Sequence, residues 1–187
     1  ETTGLDAKKD RIIEVGAVKF SGGAPQREFS SLVNPGMPLP SFITDLTGIA
    51  PGDVESAPPF AQIARDLLDF IGTVPRCGPQ VDFDINFINT ELKRTGNKPL
   101  QNTPCDTAGL SRIMLPALSH YNLGHVARSL DVGIEQAHRA LDDARASGMV
   151  AAALLPRLEE IPGEARALMA RFAPPSLTYL AGTDEYG

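Results

Sequence analysis

The sequence predicts an α/β fold in which a mixed β-sheet is covered by helices. Three observations predict it. A β-branched, alternating run from Arg11 to Phe20 is followed by Gly22-Gly23 and by a second run from Gln26 to Asn34, the pattern of a β-hairpin. Short strand candidates then alternate with helical segments, the order expected of a sheet with helices packed on it. The helical segments are amphipathic: Phe60, Ile63, Ala64, Leu67, Leu68 and Ile71 fall at helical spacing and form one apolar face.

The elements follow in order. After the hairpin, Pro35, Pro38 and Pro40 impose an extended loop. The helix from Phe60 to Ile71 leads to a short strand over Thr73 to Gly78. Phe83 to Arg94 reads as a helix stopped near Gly96 and Pro99. Thr103 to Asp106 is a brief strand before a helix from Thr107 to Leu115. Asn122 is a capping residue for a helix carrying Leu123, Val126, Ala127 and Leu130. A long Ala-rich helix runs from Arg139 to Leu155 and ends at Pro156. We therefore expect one domain over residues 1–156. A tail over 157–187, with a charged helix from Gly163 to Phe172, reads as a linker or docking segment.

Bulk properties narrow the function. The 187 residues, with a 42% hydrophobic share, suit a single domain with a real core. No apolar run reaches membrane-spanning length, so no membrane partner is expected. The first residues do not resemble a signal peptide. Cys77 and Cys105 lack C-x-x-C spacing and predict buried, reduced thiols in a cytoplasmic protein. A net charge of -6 argues against gripping nucleic acid by phosphate neutralisation alone. It leaves room for a site whose carboxylates hold metal ions, with grip on a long substrate supplied by a partner or fused domain.

Three clusters can carry such chemistry: Glu1-Thr2-Thr3-Gly4-Leu5, Val81-Asp82-Phe83-Asp84, and His138-Arg139-Ala140-Leu141-Asp142-Asp143. Taken singly each is bland. Asp82 or Asp84 is an N-cap, Asp142-Asp143 a solvated helix face, and His138 a surface or capping residue. Together they match the needs of phosphodiester cleavage. That reaction is served by two divalent ions roughly 3.5–4 Å apart. Hard cations such as Mg²⁺ require converging oxygen ligands, and a histidine can take a proton from water near neutral pH. On one continuous helix His138 and Asp143 would point roughly 140° apart. Both can face one site only if His138 lies in the loop before the helix and Asp143 in its early turns.

The three clusters, in this order, resemble the DEDDh (DnaQ-like, RNase T-type) 3'→5' exonucleases, including polymerase III epsilon-type proofreading domains. That family carries D-x-E-T-T-G, then a strand and loop ending in F-D before a helix, then H-x-A-L-x-D-A. The resemblance implies that Glu1, Asp84 and Asp143 are metal ligands for two Mg²⁺ or Mn²⁺ ions and that His138 is the general base. It selects Asp84 over Asp82 because Asp84 follows Phe83, and Asp143 over Asp142 because it stands five after His138. It further implies substrate contacts from Thr2, Thr3, Gly4, Leu5 and Phe83. Leu46-Thr47-Gly48-Ile49 is similar to the family's L-T-G-I segment, so Thr47 is implied at the terminal nucleotide. Cys105-Asp106-Thr107 and Tyr121-Asn122-Leu123 are further similarities, and the match spans Glu1 to about Ala153. The implied fold is a ribonuclease H-like mixed sheet with helices on both faces.

Two features depart from the pattern. The Asp expected two residues before Glu1, and the first strand that would carry it, are missing from this sequence. Pro79-Gln80 stands where the family often has His-Asn. The expected function is release of nucleoside monophosphates from single-stranded 3' ends of DNA, in proofreading or repair. The partner would be a DNA polymerase subunit or a fused helicase domain. The alternatives are an RNA-trimming exonuclease and a degenerate module that binds single strands or a partner without cutting.

Overall fold

Two adjacent glycines set the first supersecondary unit. Gly22 and Gly23 both adopt positive φ (57° and 77°), which a tight two-residue hairpin turn requires. They join β1 (Glu14–Ser21) to β2 (Ala24–Leu32) in an antiparallel ladder. The second strand was expected from Gln26 to Asn34; it begins at Ala24 because the glycine turn lets pairing close up to Ser21. The computed structural model describes residues 1–181.

The stretch after the proline loop holds two short helices that the sequence reading missed. They are α1 (Ser41–Thr47), entered from Pro40, and α2 (Pro51–Glu55), which starts on a proline. Ile43, Ile49 and Val54 pack there with the fully buried Ile13. Helix α3 spans Phe60–Ile71, as its apolar spacing predicts.

The second ladder is parallel. Strand β3 (Arg76–Gly78) pairs with β4 (Pro104–Asp106), and α4 (Val81–Arg94) lies between them in sequence. Helix α4 starts two residues before the expected Phe83. Gln80 takes a left-handed conformation (φ 54°), its N–H donates to the Asp106 carboxylate (3.1 Å), and its carbonyl accepts from Phe83 N–H (2.8 Å). Asp82 and Asp84 therefore fall within the first turn rather than ahead of it. Cys77 and Cys105 face each other on one rung of this ladder. Cys105 is buried as expected, but Cys77 is exposed, because this narrow ladder leaves its β3 position uncovered.

The remaining helices are α5 (Thr107–Met114), α6 (Leu123–Ser129), α7 (Ala140–Leu154) and α8 (Gly163–Phe172). Asp106 caps α5 by accepting from Ala108 N–H (3.0 Å), and Asn122 caps α6 by accepting from His125 N–H (2.9 Å). The tail packs back onto the body. Leu158, Leu177 and Leu180 are buried with Cys105, Leu110, Val126, Val150 and Leu154. The polar end beyond residue 181 lies outside the described residues.

The hairpin carries helices on both faces because strand residues alternate sides. Val15 joins Phe60, Ala64 and Leu67 of α3 and Phe87 and Leu92 of α4 in one core cluster. Gly16 and Phe20 face the opposite way, toward α7. A Cβ on Gly16 would fall on the main chain of Ala140 and Leu141, and one on Gly148 would fall on the Phe20 ring. The two glycines thus permit a close helix-on-sheet contact. The two ladders share no rung among the described residues, and no described helix is long and apolar enough to cross a membrane.

Gly16→Ala should destabilise the fold by roughly 1–3 kcal/mol or more through overpacking. Gly148→Ala should cost less, because a phenyl ring can turn aside and a main chain cannot. Urea denaturation of both variants checks the order; equal midpoints would contradict the packing described.

Candidate active site

Glu1 enters the site through its main chain. Residues 1–3 run antiparallel to residues 11–14. Ile13 N–H and Glu14 N–H donate to the Glu1 carbonyl (2.9 and 3.3 Å), the Glu1 α-amino group donates to the Glu14 carbonyl (2.8 Å), and Thr3 N–H donates to the Arg11 carbonyl (2.9 Å). This pairing sets Glu1 beside the start of β1, and its carboxylate lies near enough to both Asp84 and Asp143 to act on their ionisation.

Asp84 sits in the first turn of α4, with its carboxylate over Gly78 at the end of β3: a Cβ built on Gly78 would lie 3.6 Å from it. The side chain keeps access to solvent, yet protein crowds its carboxyl and strips much of its hydration. That desolvation pushes its pKa up to about 6, with the α-amino group of Glu1 opposing and the Glu1 carboxylate adding to the rise. Asp82 is exposed to solvent.

His138 and Asp143 are placed as their spacing requires. His138 is exposed in the turn before α7, with positive φ (63°), and Asp143 lies in the first turn of that helix. Burial raises the Asp143 pKa and the Glu1 carboxylate raises it further. The charge of His138 and a hydrogen bond from its backbone N–H pull the other way. Asp142 is instead paired with Arg145 (2.9 Å). Glu1 thus lies within electrostatic reach of both Asp84 and Asp143, and the His138 backbone N–H is hydrogen-bonded to Asp143.

The residues implied as substrate contacts divide into open and closed. Leu5 is 86% exposed. Phe83 is half-buried against Phe87 (ring centroids 4.9 Å apart). Thr2 donates its hydroxyl to the Gly4 carbonyl (2.7 Å), and a Cβ on Gly4 would collide with the Asp10 carboxylate. Thr3 is buried, and its hydroxyl accepts from Arg11 N–H (3.0 Å). Thr47 is buried too; its hydroxyl donates to the Ile43 carbonyl (2.8 Å) and accepts from Ile49 N–H (3.2 Å).

Two supports escaped the sequence reading. Glu14, with a side chain only 2% exposed, binds the Arg139 guanidinium (2.7 Å) and accepts from Ala140 N–H (2.8 Å). Nothing in the sequence pairs it with a residue so far along the chain. Arg94, bridged to the buried Glu91 (2.6 Å), donates to the carbonyls of Ala7 (3.0 Å) and Lys8 (2.8 Å). It thereby fixes the loop that follows Leu5.

The donor chemistry suits a hard divalent cation. Glu1, Asp84 and Asp143 offer only oxygen donors; burial raises the pKa of each aspartate, and the Glu1 carboxylate adds to the rise. Among the described residues no three His, Cys, Asp or Glu side chains stand close enough to enclose an ion by themselves.

A family model described as Exonuclease, of RNase T type, matches residues 1–151. A DNA polymerase III PolC-type protein of Caldanaerobacter subterraneus subsp. tengcongensis is 37% identical over 161 residues, covering 86% of this chain and 11% of that protein. The 3'-5' exonuclease DinG of Bacillus subtilis is 33% identical over 163 residues, covering 87% of this chain and 18% of that protein. The chain therefore corresponds to a small part of each relative. Among solved structures, Exonuclease X in complex with 5' overhanging duplex DNA superposes with a TM-score of 0.66 over 97% of this chain and 96% of that one. At 17% identity that likeness speaks for the fold.

The Asp84 shift fixes a sign for stability. Its folded pKa of about 6 lies above the ordinary 3.8, so the folded state holds the proton more tightly. Stability falls as pH rises between those values, and the cost is fully present above the upper one. Asp84→Asn should therefore raise the melting temperature at pH 7.5 and leave it unchanged near pH 3.5. Thermal unfolding at both pH values checks this; a lower melting temperature for the variant at pH 7.5 would contradict it.

Proposed function

Because the chain belongs to the Exonuclease family, we propose that it is a divalent-metal-dependent 3'→5' exonuclease that releases nucleoside 5'-monophosphates from single-stranded DNA 3' ends. The observation that carries this reading is that Glu1 lies within electrostatic reach of Asp84 and of Asp143, with the His138 backbone N–H hydrogen-bonded to Asp143. Two Mg²⁺ or Mn²⁺ ions held by those carboxylates would neutralise charge on the scissile phosphate and its leaving oxygen.

The chain's own groups supply the rest. His138, open to solvent in its turn, takes a proton on an imidazole nitrogen as the water oxygen bonds to phosphorus. The bond from phosphorus to the 3' oxygen breaks, and that oxygen departs with the shortened strand. Leu5 offers an exposed apolar surface to the terminal base. Phe83 backs the Asp84 turn, the Thr2-Thr3-Gly4 segment holds Leu5 in place, and Thr47 stabilises the end of α1.

A chain of net charge -6 lacks the basic surface for an extended grip on DNA. That grip would come from a polymerase subunit or a fused helicase domain; a relative named as a DNA polymerase III PolC-type protein supports the first. Residues 1–156 form the exonuclease unit in this reading, residues 157–187 are its tail, and the setting is cytoplasmic.

Single-stranded DNA labelled at the 5' end, incubated with Mg²⁺, tests the proposal. Asp143→Ala should abolish mononucleotide release while the fold persists, and a chelator should stop the parent. His138→Ala should slow release by about 10²–10⁴-fold and flatten its rise with pH near neutrality. Normal activity from Asp143→Ala would remove its role as a ligand, and an unchanged pH profile would remove His138 as the base.

A further inference from the structure

Glu14 is a buried acid whose every polar atom is committed near the site. Its main chain holds Glu1 in both directions, donating to and accepting from it. Its side chain, 2% exposed, takes Arg139 in a forked grip: Nη2 to Oε1 at 2.7 Å and Nε to Oε1 at 3.1 Å. Its other oxygen accepts from Ala140 N–H at 2.8 Å, on the first residue of α7. A carboxylate with almost no access to water is held in place only by such partners.

The segment so held begins one residue after His138. His138 has φ of 63°, a left-handed conformation that a residue with a Cβ adopts at some cost and keeps only where its surroundings impose it. Arg139 and Ala140, pinned from below by Glu14, are those surroundings on one side. The His138 N–H bond to the Asp143 carboxylate is the other. Helix α7 has no side-chain N-cap of its own at Arg139, so Glu14, reaching across from β1, serves as its cap. Gly16, two residues further on the same face, lets the helix end come close enough for that reach.

We propose that Glu14 is a positioning residue that sets the orientation of the His138 imidazole through Arg139 and Ala140. The catalytic consequence rests on the exonuclease reading above; the positional one does not. Glu14→Gln keeps the shape and one acceptor but removes the charge that holds the guanidinium.

The test combines kinetics with nuclear magnetic resonance of the histidine rings in the parent, Glu14→Gln, His138→Ala and the double variant. In Glu14→Gln the His138 ring signals should move. Those of His120 and His125, which stack edge to face at 5.8 Å, should stay and serve as internal controls. The kcat on single-stranded DNA should fall by roughly 10- to 100-fold, as for other residues that orient a reacting group, with KM little changed. In the double variant the two losses should not multiply, because Glu14 acts through His138. Unmoved His138 signals, or losses that multiply fully, overturn the proposal. Should the parent show no nuclease activity, the exonuclease reading falls, and the ring signals alone decide the positional claim. Should Glu14→Gln fail to fold, Arg139→Lys, at a 39% exposed side chain, keeps the charge but loses the fork and is read in the same way with a smaller shift.

Discussion

A carboxylate shut away from water must be matched by donors, and the matching of Glu14 is the constraint on which the site's geometry depends. Its main chain aligns Glu1, and its side chain draws in the start of α7. Two parts of the chain that share no local sequence are thereby fixed at one distance from each other. Gly16 then removes the side chain that would keep the helix away. The position of His138 and Asp143 relative to Glu1 is in this sense a property of β1.

Each acid-bearing helix is also anchored in its own apolar cluster. Phe87 and Leu92 root α4, with Asp84 in its first turn, among Val15 and the buried face of α3. Val150 and Leu154 root α7, with Asp143 in its first turn, among Leu110, Val126 and the tail leucines. Burial at those helix ends opposes ionisation of Asp84 and Asp143, and the Glu1 carboxylate adds to the effect. The fold tolerates that local cost because both helices are secured along their length.

Much of this was legible in the sequence, for physical reasons that differ by element. Helix α3 announces itself because half of it is buried and its apolar residues recur at helical period. The hairpin is legible because Gly22-Gly23 can form a turn that few other residue pairs can. The placement of His138 before α7 and Asp143 inside it follows from helix geometry alone. The short helices α1 and α2 were not legible. They are 7 and 5 residues long, too short for a period to show, and the surrounding prolines read as loop. The rung shared by Cys77 and Cys105, the burial of Leu177 and Leu180, and the reach of Glu14 to Arg139 are all long-range pairings. No local pattern encodes such pairings, and a glutamate at the head of a strand reads simply as a polar end.

The central claim is that these acids and His138 form a hydrolytic site acting from the 3' end. Polarity tests it most directly. A single-stranded DNA carrying one label on its 3'-terminal nucleotide and another at its 5' end is incubated with the protein and Mg²⁺, and both labels are followed in time. The account predicts that the 3' label appears first, entirely as nucleoside 5'-monophosphate, while the 5' label shortens one nucleotide at a time. Early release of the 5' label, or the appearance of internal fragments, would contradict it.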